Sequence, residues 1–167
     1  LTAISLMMFS VLNAQLLNPK YAYNVEIGLP VPTVNDPFNK IMRGIIRAST
    51  YGQYSFPFHL HAGAGVHYSY FSIDDVKGSL GVSGGVHSVA GFLKVGWDKF
   101  HSDRFATDFG VQYGYSQNYV ATDLNRANFG GPVQINSTFM EFKASFILKI
   151  PDEPSAYRWT IGYGGYG

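Results

Sequence analysis

One stretch decides the fold of this chain: Val89–Val120, with the sequence VAGFLKVGWDKFHSDRFATDFGVQYGYSQNYV. Apolar and polar residues alternate in two runs, which are joined by the polar turn Asp98–Arg104. Because successive side chains on a strand point to opposite faces, the pattern predicts a hairpin with one apolar, aromatic face and one small, polar or charged face. Phe92 is the one bulky residue on the polar face.

The same alternation predicts five further strands along the chain. They are expected at Tyr21–Leu29, Gly44–Phe56, Phe58–Phe71, Ser137–Ile150 and from Ala156 onward. The connections after strands one, three and five are long, whereas those after strands two, four and six are tight. Bacterial outer-membrane barrels have this asymmetry between their two ends.

Two environments could cover the apolar face of such a sheet: a second protein layer, or lipid. Charged residues are only 14% of the chain, against roughly 25% in an average soluble protein. We therefore predict an all-β, antiparallel up-and-down transmembrane barrel with its polar groups inside. No apolar run of about 18 residues is present in the body of the chain, so a spanning helix is not expected there.

Seven strands are expected, and the seventh is still running at Gly167. Inside lipid every strand edge must be hydrogen-bonded, and single-chain bacterial barrels have an even number of strands. We therefore expect eight strands, with the last one missing from this sequence. Pairing with another chain is the alternative.

The N-terminal segment differs from everything after it. It is a short apolar run ending at Asn13-Ala14-Gln15, which predicts a partial signal peptide over 1–14 and a barrel domain over 15–167. An N-terminal amphipathic helix or plug is the alternative. A signal peptide implies export.

A family resemblance follows from these features. The segments Phe92–Phe100 and Arg104–Tyr115, with Ala14-Gln15 at the signal boundary and the aromatic last strand, resemble the small outer-membrane β-barrels of the OmpA-like and opacity-like type, particularly those of Bacteroidota. The resemblance implies location in the cell outer membrane and a barrel architecture, and many members of this family have no assigned activity.

Charged and polar side chains of both signs share the face expected to be interior. An eight-stranded barrel is just wide enough for its own side chains, so they should form ion pairs and hydrogen bonds that plug the lumen and leave no open pore. The set comprises Glu26, Arg47, His59, His61, His67, Lys94, Asp108, Gln112, Glu141, Lys143 and Arg158.

Aromatic residues gather toward both ends of the strands, where they would form girdles at the two membrane interfaces. The alternative is the aromatic core of a soluble barrel. The set comprises Tyr68, Tyr70, Trp97, Phe100, Phe105, Tyr113, Tyr115, Tyr119, Tyr157 and Trp159.

Histidines are the main candidates for chemistry. His59 and His61 share a face, with His67 further along it, so they could offer imidazoles to one metal, but polar filling of the lumen is the favoured interpretation and no metal or cofactor is predicted. His87-Ser88 resembles the His and Ser of outer-membrane lipid A deacylases. Neighbouring residues on a strand point to opposite faces, so this pair cannot act together and no catalytic residue is predicted.

Composition narrows the function further. The formal net charge of +1 indicates no nucleic-acid surface, and the absence of cysteine excludes disulfides and thiolate chemistry. We expect a non-enzymatic protein with a structural or interaction role, surrounded by outer-membrane lipid and meeting a protein or surface partner through loops 73–87 and 121–136. The alternatives are a lipid-modifying outer-membrane enzyme and a soluble lipocalin-like barrel that holds an apolar ligand against inward-facing apolar residues.

Overall fold

The computed structural model describes residues 2–6, 20–32, 42–74 and 83–167, and within them the protein is all-β apart from short helical turns. The long strands of these ranges form one antiparallel up-and-down sheet, in which each pairs with the next along the chain. These strands are β2 Tyr21–Pro32, β3 Met42–Ser55, β4 Leu60–Asp74, β5 Ser83–Phe100, β6 Phe105–Thr122, β7 Val133–Lys149 and β8 Ala156–Tyr166.

A short strand closes the curled sheet into a barrel. This is β1, Thr2–Leu6, which pairs with β2 on one side and with β8 on the other. Its residues lie in the segment for which the sequence predicts a signal peptide; that peptide and its cleavage after Ala14 stay predictions, and residues 7–19 lie outside the described ranges.

The strands are staggered around the barrel. Following the paired residues from Ala22 through Gln53, Gly63, Lys94, Gln112, Glu141, Gly164 and Ala3 returns to β2 at Pro32, ten residues further on (32 − 22). With ~3.3 Å per residue and ~4.8 Å between strands, this stagger over eight strands corresponds to a tilt of roughly 40°. Side chains on distant strands are thereby brought to one level of the interior.

The predicted alternation of faces is confirmed in the described strands. Apolar residues such as Phe109, Phe142 and Phe146 lie on the outside and are exposed, whereas Asp108 and Lys143 are buried inside. The sheet is therefore apolar outside and polar inside.

Strand boundaries and pairing depart from the expected ones at β2, β3 and β4, among other places. β2 runs through Pro30 to Pro32 instead of stopping before them, since this end pairs with β1 and lies beyond the last β3 pair, Gly28 with Arg47. In β3 a register irregularity between Gly44 and Ile46 explains the uneven alternation that the sequence shows there. β4 begins at Leu60, because Pro57–His59 form a 3₁₀ turn.

The two ends of the barrel carry different connections. Tight turns join β3 to β4, β5 to β6 and β7 to β8 at one end, which we call the tight-turn end. The opposite end, at which β2, β4 and β6 finish, we call the long-connection end; residues 33–41 and 75–82 lie outside the described ranges. The expected loops 73–87 and 121–136 are wrong in extent. β4 and β5 reach Asp74 and Ser83, and the second connection holds helix α1, Asp123–Phe129.

Helix α1 has local signals at both ends. The Thr122 hydroxyl accepts a hydrogen bond from the amide of Asn125 at 3.2 Å, and Gly130 ends the helix in the left-handed conformation at φ 71°. Among the described helices, none is long and apolar enough to cross a membrane.

Candidate functional site: the polar interior

The structure places ten of the eleven residues expected inside the barrel in buried positions on the inward face. They are Glu26, Arg47, His61, His67, Lys94, Asp108, Gln112, Glu141, Lys143 and Arg158. His59 is wrong: the turn before β4 leaves its side chain 49% exposed at the tight-turn end, with Nδ1 3.7 Å from Asp98 Oδ1.

Tyr51 stands at the centre of the interior and is only 1% exposed. Its hydroxyl donates to Glu26 Oε1 at 3.0 Å and accepts from Arg158 Nη1 at 2.9 Å. Lys94 Nζ lies 3.5 Å from the same hydroxyl and 5.0 Å from the centre of the ring. One phenol thus joins β2, β5 and β8 to β3.

Asp108 collects three nitrogen partners. Lys94 Nζ and Arg158 Nη1 each lie 3.2 Å from its Oδ2, and His61 Nε2 lies 3.0 Å from that oxygen. Fully buried carboxylates are costly unless they are paired and hydrogen-bonded, so Lys94 and Arg158 account for a carboxylate at this position.

Two further ion pairs join strands that are not neighbours. Lys143 Nζ on β7 donates to Glu26 Oε2 on β2 at 2.5 Å, and the Ser49 hydroxyl donates to the same oxygen at 3.2 Å. Arg47 on β3 donates to both oxygens of Glu141 on β7, at 2.7 and 2.5 Å. A two-point contact of this kind fixes geometry as well as charge. The pairs therefore cross the interior rather than running along its wall.

Charges within the described interior balance. Four buried basic groups, Arg47, Lys94, Lys143 and Arg158, face four buried carboxylates. These carboxylates belong to Glu26, Asp98, Asp108 and Glu141. A balanced set suits a low-dielectric interior, in which an unmatched charge is expensive.

An aromatic layer lies beside the Arg47–Glu141 pair in the interior. Phe92, the exception in the polar pattern, packs 5.9 Å from Tyr51 and 6.4 Å from Phe139, measured between ring centres. His67 and Tyr166 complete the layer, at 4.7 and 5.8 Å from Phe139. At the tight-turn mouth, Lys149 Nζ lies 4.8 Å over the ring of Phe100. Side chains therefore occupy the described interior from the layer around Phe139 to Phe100 at the tight-turn mouth.

Glycines make room for the charged side chains. A Cβ atom at Gly162 would lie only 2.4 Å from Glu141 Oε1, and one at Gly96 would lie 2.5 Å from both the His61 ring and the carbonyl oxygen of Phe109. Long side chains thus lie across bare backbone on the neighbouring strand.

The histidines do not converge on one point. His61 contacts Asp108, His67 packs in the aromatic layer, and His59 lies at the mouth. In residues 20–32, 42–74 and 83–167, no three histidine, cysteine or acidic side chains are arranged to hold a metal.

The expected girdle residues lie on the outward face, with one correction. They are Tyr68, Tyr70, Trp97, Phe105, Tyr113, Tyr115, Tyr119, Tyr157 and Trp159. Phe100 is the exception: it follows Asp98 by two residues, pairs with buried Ala106 and so faces inward at the mouth. Whether the other nine mark membrane interfaces stays a prediction.

His87 and Ser88 point to opposite sides of β5. Ser88 is buried inside, whereas His87 is exposed outside, with Nδ1 2.8 Å from the Tyr68 hydroxyl. The pair therefore has no shared site in which a base could activate a nucleophile.

Comparison of the chain with protein-family models, with curated proteins and with solved structures finds no match. Fold and interior place the protein in the class of antiparallel up-and-down barrels with buried polar and charged side chains.

Tyr51→Phe tests the role of Tyr51 as the hub of the interior, the side chain that joins Glu26, Lys94 and Arg158. Loss of the hydroxyl removes one buried hydrogen-bond partner from Glu26 and one from Arg158, so the free energy of unfolding should fall by about 1–3 kcal/mol. Urea unfolding of the refolded protein measures it. The matched control is Tyr113→Phe, which removes a hydroxyl from the outward face and should change stability little. Equal effects of the two changes would contradict the central role of Tyr51.

Gly96→Ala tests the close approach of His61. The new methyl group collides with the ring and with a backbone oxygen, so stability should fall by about 1–3 kcal/mol. Gly91→Ala on the same strand is the control, because its methyl group meets no atom within 4 Å. The urea midpoints of both variants give the comparison, and a lower midpoint for Gly91→Ala would overturn it.

Proposed function

We propose that the protein is an integral barrel of the bacterial outer membrane, non-enzymatic, with a plugged lumen and a structural or interaction role at its long-connection end. The observation that carries this proposal is the inversion of the sheet: the interior holds the charges, and the outside is apolar. Soluble monomers rarely expose an apolar patch larger than a few hundred Å².

The apolar outer surface has the height that a bilayer needs. On β2 the outward residues from Tyr21 to Val31 are all large, apolar and exposed, over ten residue steps (31 − 21). Ten steps of ~3.3 Å at a tilt of roughly 40° give a height of about 25 Å, which equals the apolar band of outer-membrane barrels. We call this surface the apolar belt.

The soluble alternative needs the opposite arrangement. A lipocalin-like barrel holds its ligand against apolar residues that face inward. Here Phe109, Phe142 and Ile161 face outward, while Asp108, Lys143 and Arg158 occupy the space that a ligand would take. The side chains of the described interior favour the membrane proposal.

The long-connection end supplies the surface for an interaction role. The Ser83 hydroxyl donates to the Asp123 carboxylate, which ties the start of β5 to helix α1. On this helix Phe129 is 73% exposed and Leu124 is half exposed. An ordered connection with exposed apolar side chains suits recognition of a protein or surface partner.

Cell fractionation tests location. The full-length protein should be found with the outer membrane, should need detergent for extraction, and should migrate faster on gels before boiling than after, because the closed barrel resists unfolding. Recovery in the soluble fraction without detergent, with no heat-dependent mobility, would contradict the proposal.

Planar-bilayer recording tests the plug. The purified protein should give no steady conductance, because ion pairs and rings fill the described lumen. A long-lived open-channel current would show that the interior is not closed.

A further inference from the structure

The turn between β3 and β4 exposes apolar side chains at the tight-turn end. Phe58 is 88% exposed, which is the largest exposed fraction of any large apolar side chain in the described ranges. Phe56 and Leu60 on either side are about half exposed. The backbone closes the turn through a hydrogen bond from the amide of Phe56 to the carbonyl oxygen of Leu60 at 2.7 Å.

The backbone of this turn is strained. Phe58 and His59 have φ values of 66° and 64°, in the left-handed region that bulky side chains rarely adopt. Strain that persists at an exposed position points to a functional constraint on the side chain. Exposure of a phenylalanine ring to water is unfavourable, so contact with solvent does not explain why the side chain is held outward.

The other described tight turns are polar. His101–Arg104 joins β5 to β6 with a histidine, a serine and two charged residues, and Pro151–Ser155 carries two acidic residues. The apolar side chains are therefore specific to the β3–β4 turn and are not a property of this end of the barrel.

We propose that the Phe56–Leu60 turn is a lipid anchor, with Phe58 inserted into the interfacial layer of the leaflet on the tight-turn side. This inference rests on the proposed membrane location. Leu60 pairs with Trp97 at the margin of the apolar belt, so the turn continues that surface. Two residues of chain reach at most about 7 Å, and each interfacial layer is about 5–8 Å thick, so Phe58 stays within it.

The chemistry of the turn fits this layer. Aromatic side chains concentrate where headgroups meet acyl chains, and an apolar ring there replaces contact with water by contact with the upper acyl segments. Neighbouring His59, with its exposed imidazole, can stay among the headgroups. The occupant is thus a phospholipid at the depth of the glycerol region.

Tryptophan quenching by brominated lipid tests the anchor. The full-length protein with Trp97→Phe and Trp159→Phe provides a background without native tryptophan in the described barrel. Three variants then carry one tryptophan each: Phe58→Trp, Phe142→Trp in the middle of the belt and Phe129→Trp at the opposite end. Each is reconstituted into phosphatidylcholine vesicles brominated at shallow or deep acyl positions, and folding is checked by heat-dependent gel mobility.

The expected pattern distinguishes the two proposals. The Phe142→Trp variant should be quenched most by deep bromines. The Phe58→Trp variant should be quenched by shallow bromines at least about twofold more than the Phe129→Trp variant. If Phe142→Trp is quenched and Phe58→Trp is not, the anchor is wrong and the barrel stands. If Phe142→Trp is not quenched, the membrane location itself fails and the anchor fails with it. Should Phe58→Trp not fold, Phe56→Trp replaces it with the same expected shallow quenching.

Discussion

The structure depends on the requirement that every charge enclosed by the barrel has an opposite charge within reach. Eight strands leave room for side chains and little else, so ions inside are removed from bulk water. The requirement is met at Tyr51, Asp108 and Glu26. Each of these side chains forms hydrogen bonds to groups on several other strands. Closure of the sheet and neutralisation of its interior are therefore linked: the ion pairs cross the lumen between strands that only the closed, staggered sheet brings together.

Sequence periodicity predicted the seven long strands and the side on which most of their residues lie, but not β1, because the closing strand was expected after Gly167. The odd or even position of a residue along its strand, which we call its parity, places Lys94, Asp108 and Arg158 inside without any knowledge of their partners. The partners themselves could not be predicted, because Arg47 meets Glu141 only through the stagger of strands far apart in the chain. Register between neighbours must be known all the way round before such a pair can be named.

The errors have physical reasons too. Tyr51 and Phe139 are inward by parity, but their apolar rings favoured the outside, so the hub and the aromatic layer were missed. Phe100 was grouped by its nearness to a turn instead of by its parity. His59 left the strand because Phe58 and His59 adopt left-handed conformations, which no residue type at these positions indicates. Asn24 is buried on β2, and its side-chain nitrogen and oxygen have no hydrogen-bond partner in the described residues. Its even position predicts that it faces inward, but nothing in the sequence predicts that these atoms stay unpaired.

The strands β5, β6 and β7 are long, and their length shapes one side of the barrel. β5 and β6 have 18 residues each and β7 has 17, and they stay paired as far as Gly84 with Thr122 and Val120 with Val133. The described part of the long-connection end therefore carries a stiff, hydrogen-bonded flank on this side. A molecule that reaches this flank meets backbone of fixed orientation, so the direction of approach is restricted before any side chain is recognised.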